Sequence, residues 1–122
     1  MSGNPIVHIE IPARDPLQGS QFYAQLFGWE TSAVSEMDYV TFRAGPEMGG
    51  GFPRIDGQMY KPGDVTVYIG VDDIEATLKR IEELGGKTIA PKMEIPGMGW
   101  FAFFSDPSGN RMALYTAMAM PG

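Results

Sequence analysis

Two residues near the start of the chain, His8 and Glu10, carry the side chains best suited to proton transfer or metal binding. They lie in an alternating apolar and polar run from Pro5 to Ala13, so a β-strand would place both on one face. Imidazole and carboxylate are common metal donors, and both can move protons near neutral pH if Glu10 is desolvated. The same pattern is also typical of a hydrogen-bonded histidine beside a solvated or salt-bridged glutamate. Both interpretations stay open at this point.

Further polar and aromatic side chains fall on the corresponding faces of later predicted strands. If alternation holds along each strand, the candidate ligand-binding residues are His8, Glu10, Thr66, Tyr68, Arg111 and Tyr115. A cleft with apolar walls and a few convergent polar groups is the usual composition of a small-molecule pocket. No catalytic residue is singled out by the sequence.

The elements that must position these residues form an internal repeat. Shifting the chain by 58 residues places Val7 on Val65, Asp15 on Asp73 and Gly28 on Gly86 without a gap. A shift of 61 residues extends the match by aligning Tyr39, Val40 and Phe42 with Trp100, Phe101 and Phe103. Agreement of apolar positions, helix starts and helix stops indicates a duplicated unit.

Each copy predicts a strand, a capped helix and three further strands. Asp15 is a good N-cap, Pro16 suits the first helical position, and Gly28 suits a left-handed helix end. The first helix is expected to present four apolar side chains inward: Leu17, Tyr23, Leu26 and Phe27. The second is expected to begin after Asp72 or Asp73 and to bury Ile74, Leu78, Ile81 and Leu84.

The predicted fold class is α+β, with two tandem βαβββ modules in one domain over residues 1–122. Module 1 spans about 5–54, residues 55–63 form a linker, and module 2 spans about 64–117. The two modules are expected to form a curved, barrel-like mixed sheet around a central cleft, with one helix outside each module. Gly49, Gly50 and Gly51 fall in a predicted short strand, where glycine permits close approach of a ligand or another backbone.

Composition excludes several classes of function. A formal net charge of −6 argues against a nucleic-acid partner, because affinity for phosphates depends on clustered Lys and Arg. Cysteine is absent, so neither a disulfide framework nor a thiolate metal site is expected. We find no apolar run long enough for a membrane span and no signal-peptide pattern, and we expect a cytoplasmic protein without a membrane partner.

Several motifs together resemble the vicinal oxygen chelate superfamily, which includes glyoxalase I, bleomycin and fosfomycin resistance proteins and extradiol dioxygenases. The matching pieces are His8-x-Glu10-x-Pro12-x-x-Asp15, Phe22-Tyr23-x-x-Leu26-Phe27-Gly28-Trp29, Val71-Asp72-Asp73 with Leu84-Gly85-Gly86, and Phe103-x-x-Asp106-Pro107-x-Gly109-Asn110. They span nearly the whole chain and do not choose among the activities of the superfamily.

The resemblance implies four positions for metal donors, in the first and last strand of each copy. Here they hold His8, Thr66, Ala113 and either Gly51 or Phe52. Three of the four depart from the pattern, and protein sites for such ions need about three or four good donors. We therefore expect no cofactor, with His8 and Glu10 the only metal candidates.

Three functional hypotheses remain. The first is a small-molecule-binding protein of the resistance-protein type that lacks a complete metal site. The second is a metal-dependent lyase or dioxygenase with an atypical site at His8 and Glu10. The third is a protein whose cleft is filled by its own side chains and whose role is association with other proteins. The resemblance also implies a homodimer, which would cover exposed sheet edges.

Overall fold

The computed structural model describes residues 3–34 and 38–118, which form eight strands and two helices. In chain order the elements are β1 (Ile6–Glu10), α1 (Pro16–Phe27), β2 (Glu30–Val34), β3 (Tyr39–Arg43), β4 (Gly49–Pro53), β5 (Thr66–Gly70), α2 (Ile74–Glu83), β6 (Lys87–Ile95), β7 (Gly99–Ser105) and β8 (Arg111–Ala117). The predicted α+β class and the repeated βαβββ order are confirmed. A hairpin turn expected at 35–38 lies, except for Asp38, outside the described residues.

Contacts divide the chain into two compact units. The N-terminal unit is His8–Thr66, and the C-terminal unit comprises the residues up to Val7 together with Val67 and those that follow. Helix α1 belongs to the first unit and α2 to the second. In the described part of the chain, no helix has the length and apolar character needed to cross a membrane.

The sheet of the N-terminal unit has the strand order β2-β3-β4-β1, with β1 parallel to β4 and the other pairs antiparallel. Its helix side is a cluster of aromatic and small side chains. Val40, Phe42, Phe52 and Ala13 are buried there, and Tyr23 and Trp29 pack against them. The opposite side of the same strands is therefore left for His8 and Glu10.

Helix α1 begins and ends as its sequence indicates. The Asp15 side chain accepts hydrogen bonds from the backbone N–H groups of Leu17 and Gln18, and Pro16 occupies the first turn. Gly28 ends the helix in the left-handed conformation with φ 76°. These local signals are sufficient because each satisfies a backbone requirement of a helix end.

The expected inward face of α1 is wrong for three of its four residues. Leu17, Leu26 and Phe27 are 52%, 60% and 61% exposed. Small residues meet the sheet instead: Ser20 is buried, and a Cβ added at Gly19 would lie 2.9 Å from the Cβ of Ala13. The contact of α1 with the rest of the unit therefore runs through small residues and through Tyr23, which packs against the buried cluster.

The C-terminal unit repeats this topology, with strand order β5-β8-β7-β6 and β5 parallel to β8. Asp73 caps α2 by accepting a hydrogen bond from the Ala76 N–H. Ile74 and Leu78 are buried as expected, whereas Leu84 is 62% exposed because it follows the last helical residue, Glu83.

Strand pairing corrects the second shift of the repeat from 61 to 62 residues. Gly51 pairs with Thr41 in one unit, and Ala113 pairs with Phe103 in the other. Phe42 is therefore equivalent to Phe104, and both pack on the helix side of their sheets. A slip of one residue exchanges the two faces of a strand, which is why the shorter shift matched side chains of opposite faces.

We predict that Gly50→Ala destabilises the fold severely. An added Cβ would meet the carbonyl oxygen of Ile9 at 1.8 Å, and backbone atoms of a paired strand have little freedom to move. We expect a loss of about 3 kcal/mol or more in the free energy of unfolding, measured by urea denaturation. Gly45→Ala is the matched control, because no atom lies within 4 Å of its added Cβ. Equal stability of the two variants would contradict the assigned β1–β4 pairing.

Candidate functional site

Three neighbouring strands of the N-terminal unit bring polar side chains to the face opposite α1. Glu10 on β1 pairs with Gly51 on β4, which in turn pairs with Thr41 on β3. His8 and Tyr39 lie two residues before Glu10 and Thr41, and thus on the same face. We call this surface, defined by His8, Glu10, Tyr39 and Gly51, the His8 face.

The polar side chains of the His8 face form a chain of hydrogen bonds centred on Tyr39. The Tyr39 hydroxyl donates to Glu10 Oε2 at 2.9 Å, and His8 Nε2 lies 2.8 Å from the Tyr39 oxygen. A phenol has one hydrogen, which here goes to the carboxylate, so His8 Nε2 carries a hydrogen and donates it to Tyr39. The direction of every bond in the His8–Tyr39–Glu10 chain is thereby fixed.

Burial keeps both ring groups of this chain uncharged at neutral pH. Desolvation lowers the pKa of His8 below its ordinary value of 6.5. Desolvation, then the negative charge of Glu10 and the hydrogen bond to it, raise the pKa of Tyr39 far above its ordinary value of 10. The buried charge of Glu10, which is only 6% exposed, therefore faces a neutral donor.

Gly51 provides the space in which the Tyr39 ring ends. A Cβ added at this position would lie 1.9 Å from the Tyr39 hydroxyl oxygen and 2.0 Å from Cζ. No side chain fits there while Tyr39 holds its hydrogen bonds. The sequence prediction that glycine at 49–51 permits close approach of another backbone is confirmed at Gly49 and Gly50, whereas the close neighbour of Gly51 is the Tyr39 side chain.

The segment between the modules also reaches Tyr39. Asp56 accepts hydrogen bonds from the backbone N–H groups of Gln58 and Tyr60, each at 2.9 Å, which fixes a tight turn. Tyr60 is near enough to contribute electrostatically to the raised pKa of Tyr39. What was predicted as a linker thus supplies part of the surroundings of the candidate site.

The corresponding face of the C-terminal unit is more aromatic. Tyr68 pairs with Ala113, as Glu10 pairs with Gly51 in the other unit. The ring centroids of Tyr68 and Phe103 are 6.2 Å apart, and Cζ of the Arg111 guanidinium lies 4.7 Å from the Phe103 centroid. These contacts describe a packed aromatic and cationic surface.

The other predicted ligand residues have local hydrogen bonds. Thr66 is buried and its hydroxyl donates to the Asp64 carbonyl at 3.4 Å, while the Tyr115 hydroxyl donates to the Met98 carbonyl at 3.1 Å. Among the six candidates, the structure joins His8 and Glu10 through Tyr39, and it places Tyr68 and Arg111 against the same aromatic ring.

The donor set does not fit a divalent metal ion. The equivalence of the Glu10–Gly51 and Tyr68–Ala113 pairs shows that Gly51, and not Phe52, holds the fourth family position; Phe52 is fully buried on the helix side. Gly51 and Ala113 have no side-chain donor atom, and His8 and Glu10 both hydrogen bond to the Tyr39 hydroxyl. Within residues 3–34 and 38–118, no group of three or more His, Cys, Asp or Glu side chains is arranged to hold a metal.

An open groove of about 360 Å³ lies elsewhere on the N-terminal unit, at the end of α1. Its lining includes Phe27, Trp29, Glu30 and Arg43, and none of the residues of the His8 face. It presents exposed side chains such as Phe27 in place of a buried polar network. The groove and the His8 face are therefore separate surfaces of the N-terminal unit.

Sequence reasoning missed Tyr39 as the centre of the site. The 61-residue shift matches Tyr39 with Trp100 and assigns it no role in the site, although its alternation with Val40 places it on the face of His8. A buried tyrosine hydroxyl requires a hydrogen-bond partner, and a glycine in a neighbouring strand marks a close approach. Those two signals together would have pointed to the Tyr39–Gly51 contact.

Comparison with known proteins gives a consistent result. The family model of the glyoxalase/bleomycin resistance protein/dioxygenase superfamily matches residues 5–114. An anthracycline biosynthesis protein of Streptomyces peucetius is 32% identical over 93% of this chain, which spans only 47% of that relative. A glyoxylase-like domain-containing protein of Didymella fabae is 32% identical, with 88% of this chain and 90% of the relative covered.

The fold is similar to that of solved structures with little sequence identity. A hypothetical protein from Bacillus halodurans has a TM-score of 0.74 at 15% identity, covering 99% of both chains. This similarity concerns the fold alone.

We predict that His8 makes stability depend on pH below neutrality. Because its pKa is lowered in the folded state, the folded protein binds this proton more weakly than the unfolded chain. Stability is then complete above about pH 6.5 and falls as pH decreases, by up to about 1.4 kcal/mol per pH unit. Urea unfolding at pH 7.5, 6.5 and 5.5 measures this dependence.

The matched control is His8→Gln, whose amide can still donate to Tyr39 but does not titrate. It should show a clearly smaller loss between pH 6.5 and 5.5 than the unmodified chain. Asp38, Asp56 and Asp106, whose pKa values are lowered by hydrogen bonds, act below about pH 4 and do not interfere. Equal pH dependence of the two proteins would refute a neutral, buried His8.

Proposed function

Because the chain belongs to the glyoxalase/bleomycin resistance protein/dioxygenase superfamily, we propose that it binds a small organic molecule at the His8 face without a resident metal ion. The observation that carries the proposal is the His8–Tyr39–Glu10 hydrogen-bond chain. A ligand oxygen placed beside this chain would meet polar groups whose orientations are already fixed. Preorganised polar groups reduce the entropic cost of binding.

Burial and packing support this assignment. Glu10 is almost inaccessible, and the opposite side of its strand packs against the aromatic core under α1. A polar network in such surroundings costs free energy unless every member is satisfied, and we infer that this network serves a purpose beyond stability. Binding of a specific ligand is the purpose that the superfamily suggests.

The charges of the His8 face favour an uncharged ligand. Glu10 supplies a buried negative charge, His8 and Tyr39 are neutral, and the whole chain has a formal net charge of −6. An anionic ligand would be repelled at short range in a medium that screens poorly. Hydroxylated aromatic molecules combine uncharged hydrogen-bonding groups with the apolar area that binding requires.

The relatives agree with a role in small-molecule metabolism, although the chain spans about half the length of the curated relatives named for anthracycline biosynthesis. The candidate contributions of Thr66, Tyr68, Arg111 and Tyr115 to ligand binding remain part of the proposal. A homodimer likewise remains proposed, and sedimentation at twice the 13.3 kDa chain mass would support it.

A metal-dependent lyase or dioxygenase that uses His8 and Glu10 is less well supported. Both side chains already hydrogen bond to the same Tyr39 oxygen, and two donors are too few for a stable site. Proton transfer by neutral His8 remains compatible with ligand binding, and turnover of a bound probe would identify it.

We predict that Tyr39→Phe weakens ligand binding about tenfold or more, because it removes the hydroxyl that orients His8 and Glu10. Suitable probes are catechol as the uncharged ligand and benzoate as the anionic comparison, measured by isothermal titration. Catechol should bind the unmodified chain more tightly than benzoate.

Tyr23→Phe is the matched control, because it removes a phenol oxygen from the helix side, where Tyr23 stacks on Trp29. Its affinity for catechol should equal that of the unmodified chain. Equal loss in both variants would refute binding at the His8 face, and a preference for benzoate would refute its selection of uncharged ligands.

A further inference from the structure

We propose that the Tyr39 hydroxyl occupies the place that a metal ion takes in metal-binding relatives, and that Gly51 is the residue which allows it to do so. The inference shares its location with the proposed function, but it concerns the ion and not the identity of the organic ligand. It would explain why this chain lacks most of the family's metal donors: a tyrosine hydroxyl takes the place of the ion.

The geometry for this replacement is a convergence of three positions on one oxygen atom. His8 Nε2 lies 2.8 Å from the Tyr39 oxygen and Glu10 Oε2 lies 2.9 Å from it. A Cβ at Gly51 would be 1.9 Å away. An ion held jointly by His8 and a side chain at position 51 would have to lie between these residues. That space is filled by the hydroxyl.

Backbone conformation gives no other reason for glycine at position 51. Gly51 lies inside β4 with both neighbouring strands in register and is not among the glycines with positive φ. Glycine in a strand is unfavourable because it has no side chain to pack and loses more entropy on folding. Its presence here is accounted for by the Tyr39 ring, which would overlap any Cβ.

The repeat supplies an internal comparison. In the C-terminal unit the equivalent position is Ala113, and the residue equivalent to Tyr39 by strand pairing is Phe101. That unit therefore accommodates a methyl group where no phenol oxygen is present. Of the two units, the one with the tyrosine hydroxyl has glycine at the facing position, and the one with phenylalanine has alanine there. This is the pairing that the proposed replacement requires.

The replacement changes what the site can do to a ligand. A metal ion offers positive charge to a ligand oxygen, whereas a phenol held at high pKa offers a hydrogen bond and remains uncharged. Anions would lose their main attraction to the site. The proposed preference for uncharged ligands would follow from the same three residues.

Exchanging the two residues should recreate a metal site. Tyr39→Val removes the ring and keeps a side chain that suits a strand, and Gly51→Glu adds a carboxylate beside His8 and Glu10. One imidazole and two carboxylates then surround the vacated point, which is a common donor set for divalent ions. Phe at position 39 would not suffice, because the ring carbon Cζ alone would overlap the new Cβ at 2.0 Å.

The experiment is titration of Zn²⁺ into chelator-free protein, followed calorimetrically. Background binding is low because the chain has one histidine and no cysteine. Y39V/G51E should bind one ion per chain about 100-fold more tightly than the unmodified protein, and further substitution by His8→Ala should abolish the gain. Y39V/G51Q, which has the same shape without the charge, should recover less than a tenth of that gain.

Two results would overturn the inference. One is stoichiometric, His8-dependent Zn²⁺ binding by the unmodified chain. The other is a folded Y39V/G51E protein that binds Zn²⁺ no more tightly than Y39V/G51Q. If the Zn²⁺ titrations give the expected results but the unmodified chain does not bind catechol, the proposed function is refuted and this inference is not.

A stability cycle keeps the inference testable if Y39V/G51E does not fold. Gly51→Ala should lower the melting temperature of the unmodified chain by about 5 °C or more, because of the overlap with Tyr39. In the Tyr39→Val background the same substitution should change it by less than about 2 °C. Equal losses in the two backgrounds would refute the coupling of Gly51 to Tyr39.

Discussion

The hydrogen bond from Tyr39 to Glu10 is the interaction on which the N-terminal unit depends. A carboxylate that is 6% exposed must be paired or strongly hydrogen bonded, since an uncompensated buried charge costs several kcal/mol. Tyr39 donates this hydrogen bond from a different strand, and its position then constrains two further residues. His8 must donate to the same oxygen, and position 51 must have no side chain.

The duplicated topology separates packing from chemistry. In both units the first strand is parallel to the last, and the helix covers one side of the sheet. The covered sides tolerate different solutions: stacked aromatic rings around Trp29 and Phe42 in one unit, and mainly aliphatic contacts of α2 in the other. The opposite sides differ more, because a hydrogen-bonded polar network is present in one and an aromatic surface in the other. One scaffold thus supports two unlike surfaces.

Local signals allowed the elements to be predicted well. Asp15, Gly28 and Asp73 each satisfy a requirement of a helix end that depends on a few neighbouring atoms, and alternation identified the face of His8. Features that depend on contacts between elements could not be read in the same way. The exposure of Leu26 depends on how the whole helix packs against the rest of the unit, which the residues of the helix alone do not show. The same holds for the site. His8 and Glu10 lie on one strand and were found by alternation, whereas Tyr39 on β3 and Gly51 on β4 contact them only through the pairing of strands.

The most direct measurement of the central claim is the ¹⁵N NMR spectrum of the His8 imidazole at pH 7, recorded for the unmodified chain and for Tyr39→Phe. The single histidine gives an unambiguous assignment. We predict a neutral ring protonated at Nε2, with an Nε2–H shift that moves when the Tyr39 oxygen is removed. A charged ring, a ring protonated at Nδ1 alone, or identical spectra for the two proteins would contradict the His8–Tyr39–Glu10 chain.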